Sequence, residues 1–403
     1  MIKDGHLHNV PALRFPEFSG EWSKDCLNEF LEVQPARNTQ GIYSKDDVLS
    51  VSGDYGVVNQ IQLLGRSFAG KDVSNYHIVR TNDIVYTKSP LKEFPYGIVK
   101  TNQGTAGIVS TLYAVYSAKS NTDPKFVEYY FSSKERTNKY FKPIVRIGAK
   151  HDMKIGNEEV LRNIVVFPSK QEQNKIQEFL RIIDERIATQ SKIIEELTTL
   201  RSALLEKVFQ ASYPTIEVGA VVNQTSERNK SCRYSNVLSV SNRFGFISQS
   251  EQFEDRNVAS DDVRNYKVVH KGDFAYNPAR INVGSIAMLK RFDSGIVSPM
   301  YLCFQIDDSI VAPSFFELFL ESKVFKDEME IRLEGSVRRC LSFEAMCEIH
   351  LPCPTIIEQR SISDKIGHIS SKIELEDSIL RASALLEEST AIERHAQIGG
   401  HHK

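Results

Sequence analysis

The chain has 403 residues, of which 41% are hydrophobic and 25% are charged, and its formal net charge is −2. This composition is typical of a soluble protein of two or three domains and excludes a strongly basic chain. No apolar run approaches the ~18 residues of a membrane span, and the first residues lack the apolar core of a signal peptide. Six cysteines without a Cys-x-x-Cys pair fit reduced thiols, so we expect a cytoplasmic protein.

One eight-residue string occurs twice in nearly the same form. LSVSGDYG at residues 49–56 matches LSVSNRFG at residues 238–245, a distance of 189. Four further pairs follow in the same order at nearly the same distance: 75–86 with 265–276, 107–116 with 295–304, 124–134 with 313–323, and 168–176 with 354–362. A period this long indicates a duplicated domain, because solenoid repeats run to about 20–50 residues.

Each copy has the same predicted order of elements. Short alternating strands with turn signals come first, followed by a short helical stretch (126–141 or 315–330), a strand that ends in proline and a long helix. The predicted division of the chain is a first domain at 1–168, a spacer helix at 169–212, a second domain at 213–353, a second spacer helix at 354–395 and a frayed tail at 396–403.

The two long helices are the clearest local signals. Both begin with a capping box, Ser169 with Glu172 and Thr355 with Glu358. Apolar residues then recur at alternating steps of three and four, which is typical of a coiled-coil seam. This helix-pair seam consists of Ile176, Ile183, Ile187, Ile194, Leu197, Leu204 and Val208 in the first helix and Ile362, Ile366, Ile369, Ile373 and Leu380 in the second. We expect the helices to pair as a long spacer; the alternative is one core face of a globular bundle.

Motifs for catalysis or metal binding are weak. Residues 65–71 nearly spell a P-loop, but Asp72 replaces the hydroxyl residue that holds magnesium, and a strand pattern follows. Cys347, His350 and Cys353 are spaced like metal ligands, but the alternation of a strand places His350 on the face opposite to the cysteines, and no fourth ligand is obvious. No nucleophile elbow or dinucleotide loop is found. We expect no catalytic residue and no metal or cofactor site on this chain.

The whole layout resembles the specificity subunit of Type I restriction–modification systems. The features that carry the resemblance are ALRFPEFSGEW (12–22), the proline-to-helix junctions at 164–176 and 349–362, YNPARINVGSIA (276–287) and LRSALLEKVF (200–209). Together with the duplication and the two long helices they cover nearly the entire chain. The resemblance implies an α+β fold with two tandem target recognition domains, separated by two long helices that pair as an antiparallel coiled coil with internal pseudo-two-fold symmetry.

The same resemblance implies a non-catalytic role. Each recognition domain reads one half of a split double-stranded DNA target. Two modification subunits dock on the chain, bind S-adenosylmethionine and methylate adenine. Restriction subunits, which use ATP and Mg²⁺, complete the larger complex. The alternatives are a coiled-coil scaffold that binds only proteins and a divergent stand-alone DNA-modifying enzyme.

Bulk charge gives little help in locating a DNA surface. Residues 1–165 hold 21 Lys and Arg against 18 Asp and Glu, a net of +3, and residues 213–352 hold 16 against 19, a net of −3. DNA affinity is therefore expected to come from local patches or from partners that supply much of the attraction to phosphates.

Two loops in each copy carry polar side chains suited to base or phosphate contacts. The predicted DNA-binding residues are Lys88, Lys150 and His151 in the first copy and Arg280, Asn282, Ser336, Arg338 and Arg339 in the second. The alternative for each is a solvated or ion-paired surface residue. Tyr43, Tyr55, Arg243 and Phe244 are further candidates, although aromatic residues at such spacing are more often part of a core.

Overall fold

The computed structural model describes residue 11 and residues 13–147, 153–249, 262–335 and 339–396, with side chains as far as residue 386. The chain forms two units, which consist of Met1–Gln190 with Ile379–Lys403 (unit 1) and Ser191–Ser378 (unit 2). Both long helices contribute to both units. The domain boundaries predicted from the sequence stay a prediction.

Unit 1 begins with short strands interrupted by small helices. The strands are β1 Ser23–Cys26, β2 Leu31–Val33, β3 Leu49–Ser52, β4 Gly56–Asn59, β5 His77–Val79, β6 Ile84–Thr87, β7 Val99–Thr101, β8 Gly107–Val109, β9 Tyr113–Ala118, β10 Arg146–Ile147, β11 Met153–Lys154 and β12 Ile164–Phe167. The helices are α1 Gln60–Leu64, α2 Pro124–Tyr130, α3 Lys134–Phe141, α4 Asn157–Val160 and the long α5 Lys170–Phe209.

Unit 2 follows the same order. Its strands are β13 Thr215–Glu217, β14 Val222–Thr225, β15 Leu238–Ser241, β16 Gly245–Ser248, β17 Lys267–His270, β18 Phe274–Tyr276, β19 Ile286–Met288, β20 Ser294–Val297, β21 Leu302–Ile306 and β22 His350–Pro352. Its helices are α6 Pro313–Glu321, α7 Lys323–Arg332, α8 Phe343–Cys347 and the long α9 Ile356–Ala396.

The strand pairings repeat from one unit to the other. The four-stranded sheet β2-β9-β6-β7 of unit 1 corresponds to β14-β21-β18-β19 of unit 2. The pairs β1-β12, β3-β4 and β5-β8 correspond to β13-β22, β15-β16 and β17-β20. These pairs are antiparallel. The predicted duplication and the α+β fold class are confirmed.

Each sheet is buried through aromatic side chains at matching places. Tyr86 in β6 and Tyr276 in β18 are both fully buried. The ring of Tyr86 stacks on Phe141, with centroids 4.5 Å apart, and Phe274 stacks on Phe304 at 5.3 Å. Such pairs contribute about 0.5–1.5 kcal/mol beyond the area that they bury. Both faces of β6 and β18 are buried, and the aromatic side chains lie in the larger of the two cores to which each strand contributes.

The helical stretch predicted before the last strand of each copy is two helices in the structure. In unit 1 the chain breaks between α2 and α3, and the hydroxyl of Ser133 accepts from the Arg136 backbone N–H at 3.3 Å. In unit 2 the hydroxyl of Ser322 accepts from the Phe325 N–H at 3.2 Å between α6 and α7. The serine restarts a helix because it satisfies a backbone donor that lacks an intrahelical partner.

The starts of α5 and α9 differ in one respect from the prediction. Thr355 and Glu358 form both bonds of the capping box, at 3.4 and 3.0 Å. Ser169 accepts from the Glu172 N–H at 3.4 Å, but the Glu172 carboxylate is bound by Arg14 and Trp22. Arg14 donates to its two oxygens at 2.8 and 2.7 Å, and the Trp22 indole donates at 3.2 Å. The predicted reach of Glu172 back to the N-cap amide is wrong, because these stronger charge-assisted donors occupy the carboxylate.

A buried glutamine anchors the start of each long helix. Gln173 accepts from the Asp123 N–H at 2.9 Å and donates to the carbonyls of Asn121 and Pro168 at 3.2 and 3.0 Å. Gln359 accepts from the Ala312 N–H at 2.9 Å and donates to the carbonyls of Ile310 and Pro354 at 3.1 and 2.9 Å. Both side chains are fully buried. The duplication therefore extends to individual hydrogen bonds.

The helix-pair seam residues all lie on covered faces. Ile176, Ile183 and Ile366 are buried, and Ile187, Ile194, Leu197, Leu204, Val208, Ile362, Ile369, Ile373 and Leu380 are half-buried. Other apolar residues of the same helices are exposed, among them Ile182 at 52% and Leu375 at 53%. The apolar surface of the helices is thus wider than the seam alone.

Contacts within each unit show the direction in which the two helices run. In unit 1, Ile176 and Phe179 near the start of α5 line a cavity of about 300 Å³ together with Leu386 near the end of α9. In unit 2, Arg201 near the end of α5 donates to the Ser370 hydroxyl in the first half of α9 at 2.8 Å. The start of α5 thus lies near the end of α9, and the end of α5 lies near the first half of α9, as in an antiparallel pair.

Candidate nucleic-acid interface

The loop after β18 in unit 2 is held in one conformation by its own buried residues. The Asn277 N–H donates to the Ser285 carbonyl at 3.0 Å, and its side-chain oxygen accepts from the Ala279 N–H at 3.1 Å. Ser285 donates to the Val240 carbonyl at 3.1 Å, and Ile281 is 2% exposed. The two ends of the loop are therefore closed on each other and attached to β15.

Arg280 and Asn282 project from this loop into solvent. Both are exposed, and in the described part of the chain neither side chain has a hydrogen-bond or ion-pair partner. Gly284 takes a left-handed conformation with φ +87°, and a Cβ there would lie 3.0 Å from the Cβ of Asn242. The chain therefore presents two free polar side chains on a rigid support, an arrangement suited to phosphates or base edges.

The second predicted loop of unit 2 lies beside the first. Gly335 has φ +102° and stands next to the antiparallel bridge between Glu334 and Cys340. The Leu341 N–H donates to the Pro278 carbonyl at 3.1 Å, which joins the two loops. Ser336 and Arg338 lie outside the described residues.

Arg339 is exposed but has a partner. Its guanidinium forms an ion pair with the Glu330 carboxylate and donates to the Glu330 carbonyl at 3.2 Å. Both side chains are about half exposed, at 47% and 55%, and a pair in this setting contributes ~1 kcal/mol or less. Arg339 can therefore exchange Glu330 for a phosphate at small cost.

Lys88 is the predicted DNA-binding residue of unit 1 that lies within the described part of the chain. Lys88 is half-buried, and its ammonium donates to the Asn157 side-chain oxygen at 3.2 Å. Burial, followed by the nearby Arg37 guanidinium, lowers the pKa of Lys88. Lys150 and His151 lie outside the described residues, in the connection between the paired strands β10 and β11. The Tyr86 hydroxyl reaches the Met153 sulfur at 3.6 Å, so the first residue of β11 lies beside the strand that leads to Lys88.

A basic group in unit 1 was missed by the sequence reasoning. Arg37 is exposed and forms a β-bridge with His77. His77 is 5% exposed, and its Nδ1 has no partner among the described residues. Burial, and then the charges of Arg37 and Lys88, lower the pKa of His77 from 6.5 to about 4. His77 is therefore neutral at pH 7, and Arg37 and Lys88 carry the charge of this group.

Unit 2 repeats the arrangement with other residues. Arg228 forms a β-bridge with Lys267, and the Lys267 ammonium donates to the Tyr301 carbonyl at 2.5 Å. Burial lowers the pKa of Lys267, and the Arg228 charge acts in the same direction. The signal available in the sequence was the repeated Arg-Asn pair, Arg37-Asn38 and Arg228-Asn229. Two exposed arginines thus occupy matching places, each beside a buried side chain, His77 or Lys267.

Two of the aromatic residues expected to belong to a core are at the surface. Tyr55 is 69% exposed and Phe244 is 68% exposed, each at the turn between the two strands of a hairpin. Arg243 is exposed, and its guanidinium carbon lies 5.2 Å from the centre of the Phe244 ring. Tyr43 is half-buried. The core expectation is wrong for Tyr55 and Phe244, because a turn lifts these side chains off the sheet.

The weak metal and nucleotide motifs have other structural roles. Cys347 ends α8, whereas His350 begins β22, so the expected single strand with alternating faces is wrong. Across the described residues, no group of three or more His, Cys, Asp or Glu side chains is placed to hold a metal ion. In the P-loop-like segment a helix, α1, precedes Gly65, which reverses the strand–loop–helix order of a P-loop.

No described helix is long and apolar enough to cross a membrane.

Comparisons with known proteins bear on the fold. No family model matches the sequence, and no curated protein matches it significantly. Among solved structures, the S subunit of the Type-I restriction-modification system from M. genitalium matches with a TM-score of 0.58 and 16% identity, over 96% of this chain and 98% of that one. The chain has the fold of this S subunit.

Two further solved structures match over similar lengths. One is from a study of complex assembly and conformational transition of the type I R-M system, with a TM-score of 0.45, 15% identity and coverages of 93% and 96%. The other is the HsdS subunit from Thermoanaerobacter tengcongensis, with a TM-score of 0.44, 14% identity and coverages of 96% and 98%. The S-subunit fold assignment rests on the M. genitalium protein.

Proposed function

We propose that this chain is the non-catalytic DNA-recognition subunit of a Type I restriction–modification complex. It reads a bipartite target in double-stranded DNA, one half with each unit, and directs adenine methylation and cleavage by partner subunits. The observation that carries the proposal is the S-subunit fold along 96% of the chain, with its two duplicated units and two long helices.

The surface of each unit supports this reading. In unit 2 the described ends of the two predicted loops are joined by the hydrogen bond from the Leu341 N–H to the Pro278 carbonyl. Each unit also has an exposed arginine at a matching place, Arg37 or Arg228. The loops differ in sequence and in chemistry: Lys88 is half-buried and bonded, whereas Arg280 and Asn282 are exposed and unpaired in the described structure. Two units that share a fold but carry different polar side chains are suited to a target whose two halves have different sequences.

Catalysis belongs to the partners in this proposal. Two modification subunits bind S-adenosylmethionine and transfer its methyl group to adenine, and restriction subunits use ATP and Mg²⁺. The long helices set the separation of the two readers, and hence of the two half-sites, as dimer geometry does in other DNA-binding proteins.

The proposal is tested by mapping adenine methylation across the genome of the source strain, with the gene, without it, and with it restored. The expected result is loss of one split motif, two short blocks around a fixed unspecified gap, and its return on restoration. An unchanged methylation pattern together with no co-purifying methyltransferase would favour a protein-binding scaffold. Methylation or cleavage of DNA by the purified chain alone would favour a stand-alone enzyme.

A further inference from the structure

Each unit exposes two large apolar side chains at matching turns. In unit 1 they are Tyr55, 69% exposed, and Leu112, 57% exposed. In unit 2 they are Phe244, 68% exposed, and Met300, 62% exposed. We call Tyr55 with Leu112, and Phe244 with Met300, the apolar pair of each unit. Single exposed apolar residues are common on protein surfaces, but here the exposure recurs at both positions although all four residue types differ.

The hairpin turn that carries the aromatic residue is built identically in the two units. The Ser52 hydroxyl accepts from the Tyr55 N–H at 3.2 Å, and the Ser241 hydroxyl accepts from the Phe244 N–H at 3.4 Å. The glycine that follows is left-handed in both, with φ +71° at Gly56 and +62° at Gly245. The turn therefore holds the aromatic side chain outward at a fixed place.

The turn that carries Leu112 or Met300 is also duplicated, and a tyrosine ties it to the hairpin. The Tyr113 hydroxyl is hydrogen-bonded to the backbone of Val51, and the Tyr301 hydroxyl accepts from the Val240 N–H at 3.3 Å. Since each tyrosine directly follows Leu112 or Met300, its hydroxyl joins the two turns of the unit. The apolar pair of each unit thus belongs to a single surface.

This surface adjoins the polar loops described above. In unit 2, Asn242 of the hairpin turn contacts the position of Gly284, and the Asn277 side chain reaches the Met300 sulfur at 3.6 Å. Arg280 and Asn282 therefore lie on a loop that touches both turns. In unit 1 the Lys88 N–H donates to the Leu112 carbonyl at 3.0 Å.

We propose that the apolar pair of each unit contacts DNA bases in the half-site read by that unit. This inference rests on the proposed function and adds residues that recognise the target. The phosphate backbone offers little apolar surface for contact with such side chains, whereas base faces and the thymine methyl group are the apolar surfaces of DNA. Phe, Leu and Met side chains are known to wedge between base steps. The neighbouring Arg280 and Asn282 supply the polar contacts that orient the pair.

The test uses the full chain together with the partner subunits that co-purify with it. A library of randomised double-stranded DNA is selected on this complex and on two double variants, Phe244→Ser with Met300→Ser and Tyr55→Ser with Leu112→Ser. Each double variant is expected to lose sequence preference in one half of the selected motif, a different half for each, and to keep the other half. The controls are Ile310→Ser and Ile164→Ser, which remove exposed apolar residues (43% and 51%) elsewhere in units 2 and 1.

Affinity for the selected DNA is then measured as a function of salt. Loss of base contacts is expected to weaken binding about ten-fold without changing the salt dependence, because no phosphate contact is removed. Replacing thymine by uracil identifies a methyl contact, and a rise in 2-aminopurine fluorescence on binding identifies insertion between bases; one of the two responses is expected to vanish in the double variant.

The outcomes separate the two proposals. If the unaltered complex selects no split motif, the proposed function fails, and this inference fails with it. If the unaltered complex selects a motif and both double variants select the same motif with equal affinity, the inference alone is wrong. A weaker salt dependence in the double variants would also overturn it, since that result assigns the four side chains to backbone contacts. Unchanged thermal unfolding of the variants shows that the substitutions act on binding and not on folding.

Discussion

Arg280 and Lys88 follow corresponding strands but have different environments. Arg280 is exposed on a closed loop and has no side-chain partner among the described residues, whereas Lys88 is half-buried and donates to Asn157 at 3.2 Å. A free guanidinium reaches a phosphate or a guanine edge without losing an internal bond, while Lys88 must give up Asn157 or act through its charge. We therefore expect Arg280 of unit 2 to make a stronger direct contact with DNA than Lys88 of unit 1.

Replacing Arg280 by Ala is expected to weaken binding of the target DNA about ten-fold. The double change of Arg338 and Arg339 to Ala is also expected to weaken this binding. If Arg280 contacts a phosphate, the salt dependence falls by about one counterion. Fluorescence anisotropy at several salt concentrations measures both quantities. Lys323→Ala, on the exposed start of α7, is the control. Unchanged target binding in the Arg280 variant would remove that residue from the site, and co-purification of partners is expected to be normal in every variant.

His77 makes the stability of unit 1 depend on pH. The unfolded chain takes up a proton on His77 near pH 6.5, but burial and the charges of Arg37 and Lys88 hold the folded-state pKa at about 4. As the pH falls through this window, the unfolded state binds more protons, so stability is lost; above pH 6.5 this contribution is zero. His77→Gln is expected to show a smaller loss of stability between pH 7.5 and pH 4.5 in urea unfolding. His368→Gln, at an exposed position of α9, is the matched control, and equal losses in both variants would contradict the argument.

The start of each long helix depends on one buried glutamine. Gln359 satisfies the Ala312 N–H and two carbonyls, and Ala312 as the N-cap of α6 makes no side-chain cap of its own. Gln359→Ala is expected to lower the free energy of unfolding by about 1–3 kcal/mol, because buried polar groups of the backbone lose their partner. The exposed Gln210→Ala change at the end of α5 should have little effect. Urea unfolding of the two variants compares them, and equal midpoints would show that the anchor is dispensable.

The helix-pair seam can be tested on a single helix. Ile187 is half-buried on the seam, whereas Ile182 on the same helix is 52% exposed. Ile187→Asp places a charge against apolar neighbours and is expected to destabilise the chain by about 2 kcal/mol and to reduce co-purification of partner subunits. Ile182→Asp is expected to leave thermal unfolding unchanged. The same melting temperature for both variants would argue against the seam.

The net charge of the molecule favours a model in which partner subunits share the binding of DNA. The net charges of +3 for residues 1–165 and −3 for residues 213–352 are small for a protein that holds DNA alone. We expect the purified chain to bind target DNA more weakly, and with a shallower salt dependence, than the chain with its modification subunits, because the partners add phosphate contacts. Titrations of both forms at matched salt measure the difference. Equal affinity and equal salt dependence would place the whole electrostatic contribution in this chain.

Many features of the fold could be predicted from local patterns. The repeats, the strands ending in proline and the long helices depend on the order of residues along the chain, and the structure confirms each of them. The break at Ser133 and Ser322 could not be seen, because helical periodicity continues across both serines. The Glu172 carboxylate could not be assigned either, since its partners Arg14 and Trp22 lie more than 140 positions away.

The candidate interface also combines features that follow from the local sequence with features that depend on tertiary contacts. The sequence by itself determined that each copy carries polar residues in one loop after a strand and in a second loop between a helix and the last strand, because glycine, proline and turn spacing are local properties. Only the tertiary structure decided that the two loops of unit 2 are joined by a backbone hydrogen bond and that Tyr55 and Phe244 face solvent. It also decided that Lys88 is bonded, whereas Arg280 has no partner among the described residues. These outcomes depend on which distant strands pair and which side chains they bury, and a pattern of neighbours along the chain carries no information about distances across the sheet.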